Sequence, residues 1–91
     1  SIGGYAFYNC DSLTSVTIGN GVTEIGDHVF YYCTSLKEVY CKPTTPPLGG
    51  KSMFDNNASG RVIYVPIESV EAYKWTEYWD YYYYNFVGYD F

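Results

Sequence analysis

The chain states one pattern twice at a fixed spacing. Ile2-Gly3, Ala6-Phe7, Cys10, Leu13, Val16 and Ile18 return 23 residues later as Ile25-Gly26, Val29-Phe30, Cys33, Leu36, Val39 and Cys41. A period in the twenties is the signature of stacked coils, because each unit can bury its apolar side only against its neighbours. The pattern recurs once more in worn form. Phe54 lies 24 residues beyond Phe30, Asn57 takes the cysteine position, Gly60 the leucine position, and Ile63 and Val65 stand for Val39 and Cys41. A solenoid of short stacked strands is the expected architecture.

Within one unit, Leu13 to Ile18 alternates apolar and polar residues in the period-two manner of a half-buried strand. Gly19-Asn20-Gly21 supplies a tight turn, and Val22-Thr23-Glu24-Ile25 reads as a second short strand. Asp27 to Tyr32 is expected to form a compact turn or a short 3₁₀ segment leading into the next strand, Leu36 to Cys41. Arg61 to Val65 is the third strand. Between these strands, Lys42 to Gly50 holds three prolines, which lack the donors a sheet ladder needs, so a loop replaces the second strand of that coil. Past Pro66 the spacing of Val70 and Tyr73, with acids early in the segment, predicts a helix over Glu68 to Lys74 that caps the last coil. Trp75, Tyr78 and Trp79 are expected to extend its apolar contact, and Tyr83 to Phe91 to run extended. The organisation is therefore two regular coils over 1–41, a degenerate third coil over 42–65, and a capping helix with a Tyr-rich tail over 66–91.

Composition narrows the function. Ninety-one residues make one small domain, which buries only about 60–65% of its unfolded surface. Five Lys or Arg against ten Asp or Glu leave a net charge of −5, which excludes nucleic acid and anionic lipid as partners. No apolar run approaches the ~18 residues of a membrane span, and the first residues do not read as a signal peptide. Opening inside a repeat at Ser1 points to a mature fragment or a trimmed chain. Three cysteines are an odd number, and Cys10 and Cys33 share one repeat position, so free buried thiols acting as small apolar groups are expected rather than a disulfide scaffold. On that reading a serine at Cys10 would lack a hydrogen-bond partner. No C-x-x-C pair or Cys/His spacing suits zinc.

The unit Ile-Gly-x-x-Ala-Phe-x-x-Cys-x-x-Leu-x-x-Val-x-Ile, standing at Ile2 to Ile18 and again from Ile25, resembles the BspA-type leucine-rich repeat. The stretches Cys41 to Pro47 and Tyr64 to Lys74 resemble the C-terminal module that closes such arrays. The resemblance implies a leucine-rich-repeat solenoid with a C-terminal capping helix. It also implies a cell-surface or extracellular protein of host-associated anaerobic bacteria or protists, with adhesion or protein binding as its role. That family carries no catalytic motif.

Candidate chemistry is sparse. Asp55-Asn56-Asn57-Ala58-Ser59-Gly60 resembles the opening of a calcium loop, but the twelfth position, where a bidentate Glu is needed, is Pro66. An Asn-rich turn is the favoured alternative. Asn57-Ala58-Ser59 is a glycosylation triplet, without meaning in a bacterial source. His28 is the sole histidine, and its counterparts Tyr5 and Ser52 mark an exposed, unconstrained position with no nucleophile beside it. Glu68 with Glu71, and Glu77 with Asp80, read as solvated acids. No enzyme, cofactor or metal is expected.

The stronger candidate is the outward side of the strand ladder: Ser15 and Thr17, Glu38 and Tyr40, Val62 and Tyr64. Strands ~4.8 Å apart bring Tyr40 and Tyr64 together as an aromatic pair. The chain is rich in such residues, with 13 Tyr, 5 Phe and 2 Trp, and Tyr suits half-buried ladders and binding surfaces alike. Thr17, Glu38, Tyr40, Val62 and Tyr64, with Tyr82 and Tyr84 from the Tyr81 to Tyr84 run, are the expected ligand-binding residues. A protein ligand is the leading expectation; a carbohydrate, or a purely structural spacer and cap, are the alternatives. Residues 1–18, with one open side, are expected to support end-to-end self-association.

Overall fold

Two-residue alternation fixes which side chains a short strand turns inward, and each repeat uses it. The computed structural model describes residues 1–91. It contains four strands, β1 (Ser15–Ile18), β2 (Glu38–Cys41), β3 (Val62–Pro66) and β4 (Phe86–Tyr89). They form one parallel sheet in the order β1-β2-β3-β4. Val16, Val39 and Ile63 align in register, as do Thr17, Tyr40 and Tyr64. Ile18, Val39, Cys41, Ile63, Val65 and Phe86 turn into the core. The result is a β-dominated repeat fold whose strands recur at the spacing the sequence shows.

Opposite the sheet, the turn segments also stack. Tyr5, Phe7 and Asn9 donate their backbone N–H groups to the carbonyls of Asp27, Val29 and Tyr31, and His28, Phe30 and Tyr32 do the same to Lys51, Met53 and Asp55. Alternate residues thus form a second ladder without being strands. Its geometry requires two left-handed residues in each turn: Tyr5 and Asn9, His28 and Tyr32, Ser52 and Asn56 all have φ between 53° and 62°. These are turns rather than 3₁₀ segments. His28 is accordingly not at an unconstrained position: its shared property with Tyr5 and Ser52 is the backbone, and its half-buried ring stacks on Tyr5 at 4.9 Å.

Phenylalanines run through this stack as a column. Phe7 lies parallel to Phe30 at 5.3 Å, and Phe30 to Phe54 at 5.4 Å. Close approach of each later repeat to the one before it is set at Gly26 and Gly50. A methyl group on Gly26 would meet the backbone of Gly4, with the Gly4 Cα only 2.7 Å away, and one on Gly50 would stand 2.6 Å from the Asp27 nitrogen. Only a residue without Cβ fits between these backbones.

Other elements depart from expectation. Residues 22–25 form no second strand; Glu24 and Ile25 make single parallel bridges to Leu48 and Ile2. The proline loop bonds the preceding coil's backbone only at Lys42 and Leu48, and the carbonyls of Pro43, Thr44 and Pro47 take donors from elsewhere. The C-terminal segment supplies them: Ser69 Oγ donates to the Thr44 carbonyl at 2.7 Å, Tyr73 Oη to Pro43 at 2.6 Å, and Trp79 Nε1 to Pro47 at 2.8 Å. The helix is shorter than the pattern suggests, with a 3₁₀ turn at Ile67–Ser69 followed by α1 (Val70–Lys74). Tyr73 is buried, but Trp75 is 70% exposed and does not extend the contact.

The tail is where sequence and structure differ most. Trp79–Asn85 is a 3₁₀ segment kinked at Tyr82, so of the stretch expected to run extended, Tyr83 to Asn85 is helical and Phe86–Tyr89 is strand. Its three-residue turn places Trp79, Tyr82 and Asn85 on one side. Trp79 and Tyr82 close over Phe54 at 5.9 and 5.5 Å, ending the phenylalanine column, while Tyr81 and Tyr84 are left in solvent. β4 then extends the sheet.

The shared cysteine position has a polar role that its apolar neighbours hide. Cys33 Sγ donates to the Phe7 carbonyl at 3.0 Å, and Asn57 Nδ2 donates to the Phe30 carbonyl at 2.8 Å. Each is the same link from one repeat to the one before it. Cysteine is there as a small donor, not merely a filler. All three thiols are free, Cys33 and Cys41 buried and Cys10 half-buried. Burial pushes the Cys41 thiol up to about 12, so it stays protonated and unreactive at neutral pH. Because a hydroxyl can replace the thiol donor, Cys33→Ser is expected to remain within about 1 kcal/mol of the wild type in denaturant unfolding. Cys33→Val leaves the Phe7 carbonyl with only the longer bond from the Cys10 N–H, at 3.3 Å, and is expected to lose about 1 kcal/mol more than Cys33→Ser. Equal losses in both variants would make packing, not the hydrogen bond, the determinant.

Candidate functional site

The outward strand face is built by the register itself. Ser15, Glu38 and Val62 form one row, and Thr17, Tyr40, Tyr64 and Val87 the next. Tyr40 and Tyr64 stack at 4.9 Å with their planes 12° apart. Tyr89 crosses both edge-on, at 5.6 Å from Tyr40 and 5.4 Å from Tyr64, and touches Phe91 at 4.8 Å. Offset stacks and edge contacts are the geometries the ring quadrupole favours, so the group is rigid. Tyr40 and Tyr64 are half-buried, and Val87, Tyr89 and Phe91 are more than 40% exposed. Partial burial first, then the neighbouring Glu38, Tyr64 and Tyr89, hold the Tyr40 phenol above its usual range. It therefore keeps its O–H donor through neutral pH.

Of the residues singled out from the sequence, Thr17, Glu38, Tyr40, Val62 and Tyr64 share this face. Tyr82 and Tyr84 do not join it. Tyr82 is 5% exposed and inward, its hydroxyl donating to Asp55 Oδ1 at 2.7 Å and accepting the Phe54 N–H at 3.0 Å. Tyr84 is 94% exposed on the 3₁₀ segment, edge-on to Tyr83 rather than to any ladder residue. Val87, Tyr89 and Phe91 were not singled out. The period could have found them, since 23 residues beyond Tyr64 lies Val87, its register partner.

The Asp55 to Gly60 turn is occupied by structural bonds rather than open to a cation. Asp55 takes the Tyr82 hydroxyl, and Asn57 spends its amide N–H groups on the carbonyls of Phe30 and Cys33. Arg61, absent from the sequence-level candidates, is 9% exposed behind this turn. Its Nη1 donates to the Phe54 carbonyl at 2.7 Å and to Asn57 Oδ1 at 2.9 Å, and its Nη2 to Asn85 Oδ1 at 3.0 Å. The guanidinium also lies 5.0 Å from the Tyr82 ring centroid. Burial lowers its proton affinity, opposed by Tyr82 and Asp55. No group of three or more His, Cys, Asp or Glu side chains is placed to hold a metal ion. No helix is long and apolar enough to cross a membrane.

Repeats of this length, with a shared Phe, a donor three residues on and one in-register parallel sheet, are matched by the family model described as BspA type Leucine rich repeat region (6 copies), over residues 1–79. The chain belongs to the BspA-type leucine-rich repeat family. No curated protein matches it. Residues 1–79 include the three phenylalanine repeats, the first three strands and α1 of this BspA-type chain, whereas most of the second 3₁₀ segment and β4 lie beyond the match.

Arg61 joins the third repeat to the tail, and Arg61→Leu would strand one buried and two half-buried acceptors at once. The variant is expected to lose about 3 kcal/mol in denaturant unfolding. A loss below about 1 kcal/mol would mean that the network holds without the guanidinium.

Proposed function

We propose that this BspA-type chain is a non-enzymatic binding module of a cell-surface or secreted protein, and that the outward strand face meets a protein ligand. The observation that carries the reading is the interlocked Tyr40, Tyr64 and Tyr89 cluster, held on strands and flanked by Glu38 and Thr17. Tyrosine on a rigid scaffold offers large contact area, a hydroxyl donor and little entropy to lose, which is the profile of an interface anchor. An enzymatic reading has less behind it: the thiols point inward, and His28 packs between Tyr5 and Tyr31 with no nucleophile bonded to it.

The same reading makes residues 66–91 the cap of a solenoid and residues 1–18 its open side. Trp79 and Tyr82 close the phenylalanine column at one end. At the other, Phe7 is 42% exposed and β1 has no neighbour on its outer edge. Apolar surface beside unpaired strand groups favours end-to-end association. Sedimentation velocity over a concentration series is expected to show reversible self-association, weakened by Phe7→Ser. A monomer at millimolar concentration would overturn that part of the proposal.

Binding is tested by screening an immobilised panel of matrix and bacterial surface proteins, then measuring hits against variants. Tyr40→Ala combined with Tyr64→Ala is expected to weaken a hit at least tenfold, while circular dichroism remains that of the wild type. Tyr84→Ala is expected to leave affinity unchanged. Affinity that survives the ladder pair but disappears with Tyr84→Ala would move the site to the tail. No hit across the panel would favour a spacer.

A further inference from the structure

The carboxyl ends of the four strands open into a groove that borders the flat ladder face at Tyr89. One hollow, of about 350 Å³, is lined by Asn20, Lys42, Thr44, Glu68, Tyr89 and Asp90 among others. A second, of about 260 Å³, adjoins it, sharing Asn20 and Thr44 and walled by Pro43, Pro46 and Pro47. The four segments meet there because each strand in a parallel sheet ends on the same side: Asn20 follows β1, Lys42 and Thr44 follow β2, Glu68 follows β3, and Tyr89 with Asp90 closes β4. The proline carbonyls behind the wall are tied down by Tyr73 and Trp79, so the groove has a fixed shape.

We propose that this groove is a binding site for a neutral saccharide of one or two sugar units. Its volume is at the low end of the roughly 300–1,000 Å³ of small-molecule sites. Its lining matches a sugar more closely than a peptide side chain. Lys42 only donates, Glu68 and Asp90 as carboxylates only accept, and Asn20 and Thr44 do both, which suits vicinal hydroxyls that themselves donate and accept. Tyr89 and Phe91, both over 40% exposed and in contact at 4.8 Å, offer ring surface on which the C–H face of a pyranose can lie. No deep apolar pocket is present for an anchoring Leu or Phe. The charge selects against acidic sugars: one lysine faces two carboxylates, in a chain of net charge −5. The proposal shares Tyr89 with the protein-ligand reading but is tested apart from it through Asn20, Glu68 and Asp90, which are not ladder residues.

The test uses the full chain on an array of neutral, sialylated and sulfated oligosaccharides. Titration of the strongest neutral binder follows, with backbone amide shifts recorded by NMR. Neutral glycans are expected to bind above the acidic ones, with shifts concentrated at Asn20, Lys42, Glu68 and Asp90. Asn20→Ala and Asp90→Asn, both at exposed positions outside the core, are expected to weaken binding at least tenfold with unchanged amide spectra elsewhere. The Tyr40→Ala, Tyr64→Ala pair would shift Tyr89, so Glu38→Ala serves as the ladder control and is expected to leave glycan affinity intact. Absence of binding across the array, a preference for acidic glycans, or affinity indifferent to both groove variants would each overturn the proposal. None of these outcomes bears on a protein ligand at the ladder.

Discussion

The rest of the structure depends on the contact of one repeat's phenylalanine with the next. Its ring stacks on the neighbouring ring at just over 5 Å, and its carbonyl receives the side-chain donor of the following repeat, Cys33 in one case and Asn57 in the other. These two interactions act at the same point on the chain but obey different rules. Ring stacking tolerates small slides; a hydrogen bond to one carbonyl does not. Together they set the register, and the register then aligns the strands on the far side of the core. The tyrosines of the outward face are neighbours because phenylalanines behind them are.

Any column must end, and the C-terminal segment ends this one with different residues in a different conformation. Trp79 and Tyr82 cover Phe54, Arg61 bonds the Phe54 carbonyl and Asn85 Oδ1, and β4 pairs with β3. A carbonyl, two amide oxygens and ring faces replace the water of the two terminal guanidinium nitrogens, rather than a single carboxylate, while the buried Nε is left without a partner. The same segment donates to the carbonyls of the proline loop. One stretch of chain thus closes the core, completes the sheet and shapes the groove at the strand ends.

The two proposed sites fall on two different surfaces of this arrangement. The ladder face is flat, aromatic and rigid, which suits the broad contact of a protein. The groove is concave and hydrophilic, which suits a small polyhydroxylated ligand. Tyr89 belongs to both, since its ring crosses Tyr40 and Tyr64 and also lines the groove.

The repeat period by itself determined the strand register, the inward set Val39, Cys41, Ile63 and Val65, and the pairing of Tyr40 with Tyr64, because a period-two strand at a 23 or 24 residue spacing leaves no other alignment. It did not reveal the left-handed turns, since Tyr5, His28 and Ser52 share a backbone conformation that no side chain announces. Nor did it distinguish Tyr82 from Tyr84 within a run of identical residues. Only the three-residue turn of the tail, fitted against Phe54, buried the first and exposed the second. The tertiary structure alone decided what Cys33, Asn57 and Arg61 do, because a hydrogen-bond acceptor 7 to 27 residues away is a fact of packing, not of spacing.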